Sequence, residues 1–232
     1  MTGWKIPPPK CPTKTDEEFR KEREKKVRWL VKHGYLKSER IKNAMLKVKR
    51  EGFVPNAYRD YTYLEVPLPL PGEEATISCP HSYPLFYESL GVDRGDKFLE
   101  VGLGSGFGTA LAREIVGADG LVVSIEIDQL TFEFARRNLE NADYRDVVLV
   151  KGDGGFGYPE LSPYDKICMT AACNGIPSPL LEQLRTEARL IAPVRKPWKE
   201  VQDLVMFEKS EGGDKVEVIC EVLYVSLGGS YG

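Results

Sequence analysis

The chain has 232 residues, 42% of them hydrophobic and 29% charged, with a formal net charge of −3. That much apolar material builds one sizeable core with a smaller appendage, which excludes a disordered or fibrous chain. No stretch reaches the length and hydrophobicity of a membrane span. The start, Met1-Thr-Gly-Trp-Lys-Ile-Pro-Pro-Pro-Lys10, lacks the apolar centre of a signal peptide, so a cytoplasmic protein without membrane attachment is expected.

The five cysteines, Cys11, Cys79, Cys168, Cys173 and Cys220, are odd in number and include no Cys-x-x-Cys pair. Neither a disulfide framework nor a metal site is expected from them. Charge is unevenly spread, with 16 Lys/Arg against 6 Asp/Glu in residues 1–50. A basic arm over residues 1–27 could touch nucleic-acid phosphates, although a solvated helix face explains it more simply.

Residues 1–14, rich in Pro and Lys, are expected to be extended or disordered. Thr15-Asp-Glu-Glu18 then reads as a capping box, opening an amphipathic helix with Phe19, Val27, Leu30 and Val31 that ends near His33-Gly34. Ser38 can cap a second helix whose Ile41, Met45 and Val48 share a face. Phe53 to Gly72 holds too many prolines and aromatics for regular structure and too few charges for a linker, which predicts an ordered loop lying over something. Glu74-Ala-Thr-Ile-Ser-Cys-Pro-His81 leads into a helix carrying Leu85, Phe86 and Leu90. Residues 28–90 thus form a helical lead-in with substrate loops, and residues 91–232 the main domain.

That domain opens on Asp96-Lys-Phe-Leu-Glu-Val-Gly-Leu-Gly-Ser-Gly-Phe-Gly108, an apolar strand, a glycine-rich turn and the start of a helix. Strands follow at Leu121–Glu126, Val147–Lys151, Tyr164–Thr170 and Leu190–Val194, with helices from Asp128 to about Asn141 and from Ser178 to Leu184. The alternation implies a parallel sheet with Rossmann-like connections. Asp203–Glu208 and Val216–Val225 alternate across Gly212-Gly213, an antiparallel hairpin at the sheet edge.

The turn reads Glu100-x-Gly102-x-Gly104-x-Gly106, not the Gly-x-Gly-x-x-Gly that fits a diphosphate against a helix end. Glu126 closes the second strand where a ribose-binding carboxylate belongs. Together they favour S-adenosyl-L-methionine over a dinucleotide. The pocket expected at the strand ends comprises Glu100, Gly102, Leu103, Gly104, Ser105, Gly106, Glu126, Ile127, Asp153 and Gly154, with Ile127 over the adenine face. Asp153 either accepts from the adenine amino group or bonds its own turn. Sulfonium methyl transfer requires no metal.

These residues resemble the protein-L-isoaspartate (D-aspartate) O-methyltransferase family over residues 28–227. The match is carried by Gly34-Tyr-Leu-Lys-Ser-Glu-Arg-Ile41, Lys47-Val-Lys-Arg-Glu-Gly-Phe-Val-Pro55, Ala75-Thr-Ile-Ser-Cys-Pro-His81, Glu100 to Gly106, Gly152-Asp-Gly154, Pro163-Tyr-Asp165 and Leu190 to Val194. The resemblance implies a class I methyltransferase fold, S-adenosylmethionine consumed to S-adenosyl-L-homocysteine, and damaged proteins or peptides as substrates. It gives Ser78 the reacting carboxylate or the cofactor, and the product a methyl ester that collapses to succinimide. The chain departs from the family's usual residues at Cys79 and Ser82-Tyr-Pro84, and its Asn174-Gly175 pair, close to the presumed site, deamidates easily. Two other readings stay open: a methyltransferase acting on RNA or a small molecule, and a cofactor-binding homologue without repair activity.

Overall fold

The computed structural model describes residues 5–72 and 74–232. The expected helices α1 (Asp16–Lys32) and α2 (Glu39–Lys47) form, each started as the sequence specified. The Thr15 hydroxyl and the Glu18 carboxylate cap each other's backbone in a reciprocal box, and the Ser38 hydroxyl accepts from Ile41 N–H at 3.3 Å. Phe19, Val27 and Leu30 are buried, but Val31 is 45% exposed because it falls outside the stripe that packs on α2.

The boundary at residue 27 falls inside α1, and residues 5–14 are not a loose arm. Lys10 N–H donates to Ala57 O at 3.0 Å, and the buried Asp60 carboxylate accepts from Thr13 N–H at 3.0 Å and pairs with Lys10 Nζ at 2.8 Å. Residues 1–4 lie outside the described residues. Several of the basic charges are also spent locally. Arg20 pairs with Glu17 and Glu24, Arg23 with Glu51, and Lys26 with Glu65.

The loop over residues 53–72 is more regular than its prolines suggested. It contains a 3₁₀ turn at Asn56–Tyr61 and a two-residue strand β1 (Leu68–Pro69), which pairs antiparallel with β2 (Thr76–Ile77). Pro69 is tolerated because a two-stranded ribbon is all edge. Helix α3 (Ser82–Leu90) then delivers the chain to the main sheet.

The sheet has seven strands in the order β5-β4-β3-β6-β7-β8-β9. Strands β3 (Lys97–Val101), β4 (Leu121–Glu126), β5 (Val148–Lys151), β6 (Tyr164–Met169) and β7 (Leu184–Arg195) run parallel. Strands β8 (Gln202–Lys209) and β9 (Lys215–Val222) complete the edge antiparallel, as their alternation predicted. Helices α4 (Phe107–Val116), α5 (Gln129–Asn141) and the short α6 (Ser178–Glu182) cross between the parallel strands. Strand β7 is longer than its apolar centre indicated, since it pairs with β8 over Ala188 to Arg195 and with β6 from Leu184.

Two cores flank the sheet. One, under α1–α5, holds Phe53, Phe98, Phe107 and Leu111; the other, on the opposite face, holds Leu99, Val101, Ile125 and Leu190. Strands buried on both faces explain the near-continuous apolar runs of β3 and β4. The chain proceeds outward from β3 to β5, then returns to β6 on the other side of β3. The crevice at that reversal is where ligands settle in open α/β sheets.

Candidate active site

The loops leaving β3, β4 and β5 converge on a cleft of about 690 Å³, within the roughly 300–1,000 Å³ typical of small-ligand sites. Gly102, Gly104, Glu126, Ile127 and Gly154 line it, as the spacing predicted. Gly102 has φ +100°, and a Cβ there would collide with Thr170 Oγ1, so no other residue fits this bend. The N–H groups of Gly102 and Leu103 both donate to Ile125 O at 3.0 Å, fastening the turn to the end of β4.

Glu126 joins the first two turns. Its Oε2 accepts from Gly104 N–H at 3.0 Å, and its Oε1 from Ile127 N–H at 2.9 Å and Asp128 N–H at 3.0 Å. Burial raises its carboxyl pKa above the ordinary value, while the three backbone donors pull it back. A carboxylate offers about four lone-pair positions. Three are occupied, which leaves room for one hydroxyl without giving up a backbone partner.

Several predicted residues lie behind the cleft wall. Glu100 is 2% exposed beneath the turn, its Oε2 accepting from Thr109 Oγ1 at 2.6 Å and Ser124 Oγ at 2.7 Å. Desolvation pushes this carboxyl up to about 7 against those two hydrogen bonds. Leu103 is a core residue, Ser105 is buried with its Oγ accepting from Phe107 N–H at 3.3 Å, and Gly106 is the left-handed cap of α4. Asp153 does bond its own turn, with acceptor positions left over. Its Oδ1 accepts from Gly155 N–H at 2.9 Å and its Oδ2 from Ser230 N–H at 2.8 Å, so it fastens its own turn and the C-terminal tail.

Ser78 lines a separate, smaller cavity of about 20 Å³, shared with Ser82, Tyr83, Glu100, Cys168 and Tyr224. That is about the space one water requires. The Ser78 carbonyl accepts from Arg50 Nη2 at 2.7 Å, and Arg50 also donates through Nε to Thr62 O at 2.8 Å. The 2%-exposed guanidinium therefore pins the Thr-Ile-Ser segment. Thr170, at the end of β6, lines both cavities and stands between them, donating to Gly102 O at 2.7 Å.

Sequence reasoning did not find Thr170 or the cleft wall formed by Val225 to Gly228. That wall exists because the chain after β9 returns to pair with the segment after β6. Ala172 N–H donates to Val225 O and Leu227 N–H to Ala172 O, both at 2.8 Å. A contact between residues 55 apart leaves no local periodicity to read. Asn174 holds the same tail, its Nδ2 donating to Gly232 O at 3.0 Å.

A cleft of nucleoside size, walled by Gly102 and Gly104 of a turn whose Leu103 and Ser105 are buried, and floored by a carboxylate with one free acceptor position, fits a ribose-bearing cofactor. Ile127, 40% exposed at the lip, offers an apolar face for a base. Residues 21–232 match the family model described as protein-L-isoaspartate(D-aspartate) O-methyltransferase. The chain belongs to that family.

A protein-L-isoaspartate O-methyltransferase from Hyperthermus butylicus is 41% identical over 230 residues, covering 95% of this chain and 94% of the relative. One from Methanopyrus kandleri is 42% identical over 200 residues, covering 86% and 87%. Among solved structures, a protein-L-isoaspartate O-methyltransferase superposes with TM-score 0.83 at 34% identity, covering 90% of this chain and 67% of the other. A Plasmodium falciparum protein in complex with S-adenosyl-L-homocysteine has TM-score 0.80 at 21% identity, a likeness of fold. The chain is accordingly an S-adenosylmethionine-dependent methyltransferase of isoaspartyl carboxylates. Among the described residues, no helix is long and apolar enough to cross a membrane.

Proposed function

We propose that this chain methylates the free carboxylate of isoaspartyl residues in damaged proteins and peptides, with Ser78 steering the carboxylate and the β3, β4 and β5 turns holding the methyl donor. The supporting observation is the pair of cavities that meet at Thr170, one of nucleoside size and one lined by hydroxyls. S-adenosylmethionine supplies an electrophilic methyl group when bound.

The protein's own work is placement. A carboxylate with a pKa near 4 is ionised at neutral pH, so no general base is needed to make it attack. Ser78 and Ser82 offer hydroxyl donors on the small-cavity side, and Tyr224 stands against both. Arg50, by gripping the Ser78 carbonyl, fixes the backbone that carries that hydroxyl. Glu126 accepts from a ribose hydroxyl, and Gly102 and Gly104 allow a ligand to approach the backbone. Orientation of this kind is worth several kcal/mol of barrier.

We place the reaction in the cytoplasm, where the five free thiols remain reduced. Labelled methyl transfer to an isoaspartyl peptide, run beside the matching aspartyl peptide, tests the reading. Methylation of the isoaspartyl peptide alone is expected; equal labelling of both, or of neither, overturns it.

A further inference from the structure

Beside the Ser78 segment, but outside both cavities, three chemically different donors gather. The Cys79 thiol, the His81 imidazole and the Glu65 carboxylate each present one ligand atom, all within 4.8 Å of one another. Cys79 is 7% exposed, while Glu65 and His81 are each about a quarter exposed at the side chain, so the group opens to solvent on one side. His81 Nδ1 lies 2.6 Å from Glu65 Oε2, and the Tyr35 ring packs on the imidazole with centroids 5.1 Å apart. The set is therefore held in place before any ligand arrives.

We propose that Glu65, Cys79 and His81 form a site for a divalent ion of the zinc class, with the fourth position open to water. Sulfur, imidazole nitrogen and carboxylate oxygen together suit Zn²⁺ or Co²⁺ and disfavour Mg²⁺ or Ca²⁺, which take oxygen alone. Bond lengths of about 2.0–2.3 Å around a tetrahedral ion put ligand atoms about 3.5 Å apart. The Glu65–His81 pair, at 2.6 Å, opens by about 1 Å to reach that spacing, and the remaining donors, all within 4.8 Å, adjust by side-chain rotation at a half-open site.

Charge balances as well. The ion displaces the Cys79 proton and meets one thiolate and one carboxylate, leaving the site neutral. Lys26 Nζ, 2.8 Å from Glu65 Oε1, must give way. It has somewhere to go: the same ammonium already lies 4.9 Å from the Trp29 ring centre, a position that holds a cation. The bound ion would tie residue 65 to residues 79 and 81, and so brace the segment that carries Ser78.

The test uses the full chain with Cys11→Ser, which removes the exposed thiol, titrated with Co²⁺ and then Zn²⁺. One ion per chain is expected, with a thiolate-to-cobalt charge-transfer band that Zn²⁺ abolishes, and release of one proton. Cys79→Ser should remove the band, and His81→Gln should weaken binding by about tenfold or more, both with the fold intact by circular dichroism. Lys26→Met should bind more tightly, since a competing ammonium is gone. No saturable binding, a band that survives Cys79→Ser, or an affinity indifferent to His81→Gln would overturn the site.

Discussion

Replacing Glu100 by Gln should flatten the pH dependence of stability, and the size of the change follows from how the carboxyl is buried. Burial raises its pKa from an ordinary 4.5 to about 7, against the hydrogen bonds from Thr109 and Ser124. The native state therefore keeps a proton that the unfolded chain releases above 4.5. Stability is highest below that value and falls as pH rises through the window up to about 7, after which the loss is complete. At about 1.4 kcal/mol per unit the group removes about 3 kcal/mol between those limits. Gln is neutral and nearly isosteric, and its carbonyl can accept both hydroxyl bonds. Guanidinium unfolding of both proteins at about pH 5 and about pH 8 measures the difference. Other groups that titrate in this range, such as Asp96 with its pKa pushed up to about 6 by burial, are common to both proteins and cancel. Wild type should lose about 3 kcal/mol more than Glu100→Gln. Parallel curves would refute the burial argument.

Ser78→Ala should cut turnover by about tenfold or more through loss of positioning, with cofactor affinity nearly unchanged in equilibrium dialysis. Gly102→Ala meets both a φ of +100° and Thr170 Oγ1; the backbone strain alone costs about 1–3 kcal/mol, read as a lower denaturation midpoint and lost cofactor binding. Asp60 is buried, which would raise its pKa, yet hydrogen bonds from Lys10, Thr13 and Lys14 hold it well below the carboxylate range. Its contribution is present above the unfolded value and lost only as pH falls through the folded one, so Asp60→Asn should expose Lys10 and Lys14 to trypsin at neutral pH where wild type resists. Asn174, though followed by Gly175, has its amide held by Gly232 O and by Arg195; Arg195→Ala should speed isoaspartate formation there, as mapped by peptide analysis after ageing.

The parts that local chemistry governs were legible in the residues alone. Thr15 and Glu18 cap α1, Ser38 caps α2, and the Gly102–Gly106 turn and Glu126 stand where strand-end geometry requires them. Cap hydrogen bonds, glycine φ angles and apolar periodicity act within a few residues, so the sequence carries them directly. Four features came only from tertiary structure: the pairing of Val225 to Leu227 with Ala172, the place of Thr170 between two cavities, the capture of Asp153 by Ser230, and the meeting of Glu65 with Cys79 and His81. Each joins segments from 14 to 77 residues apart. Nothing in either segment announces its partner, because the contact is set by how the sheet stacks its strands and by where the chain returns after β9.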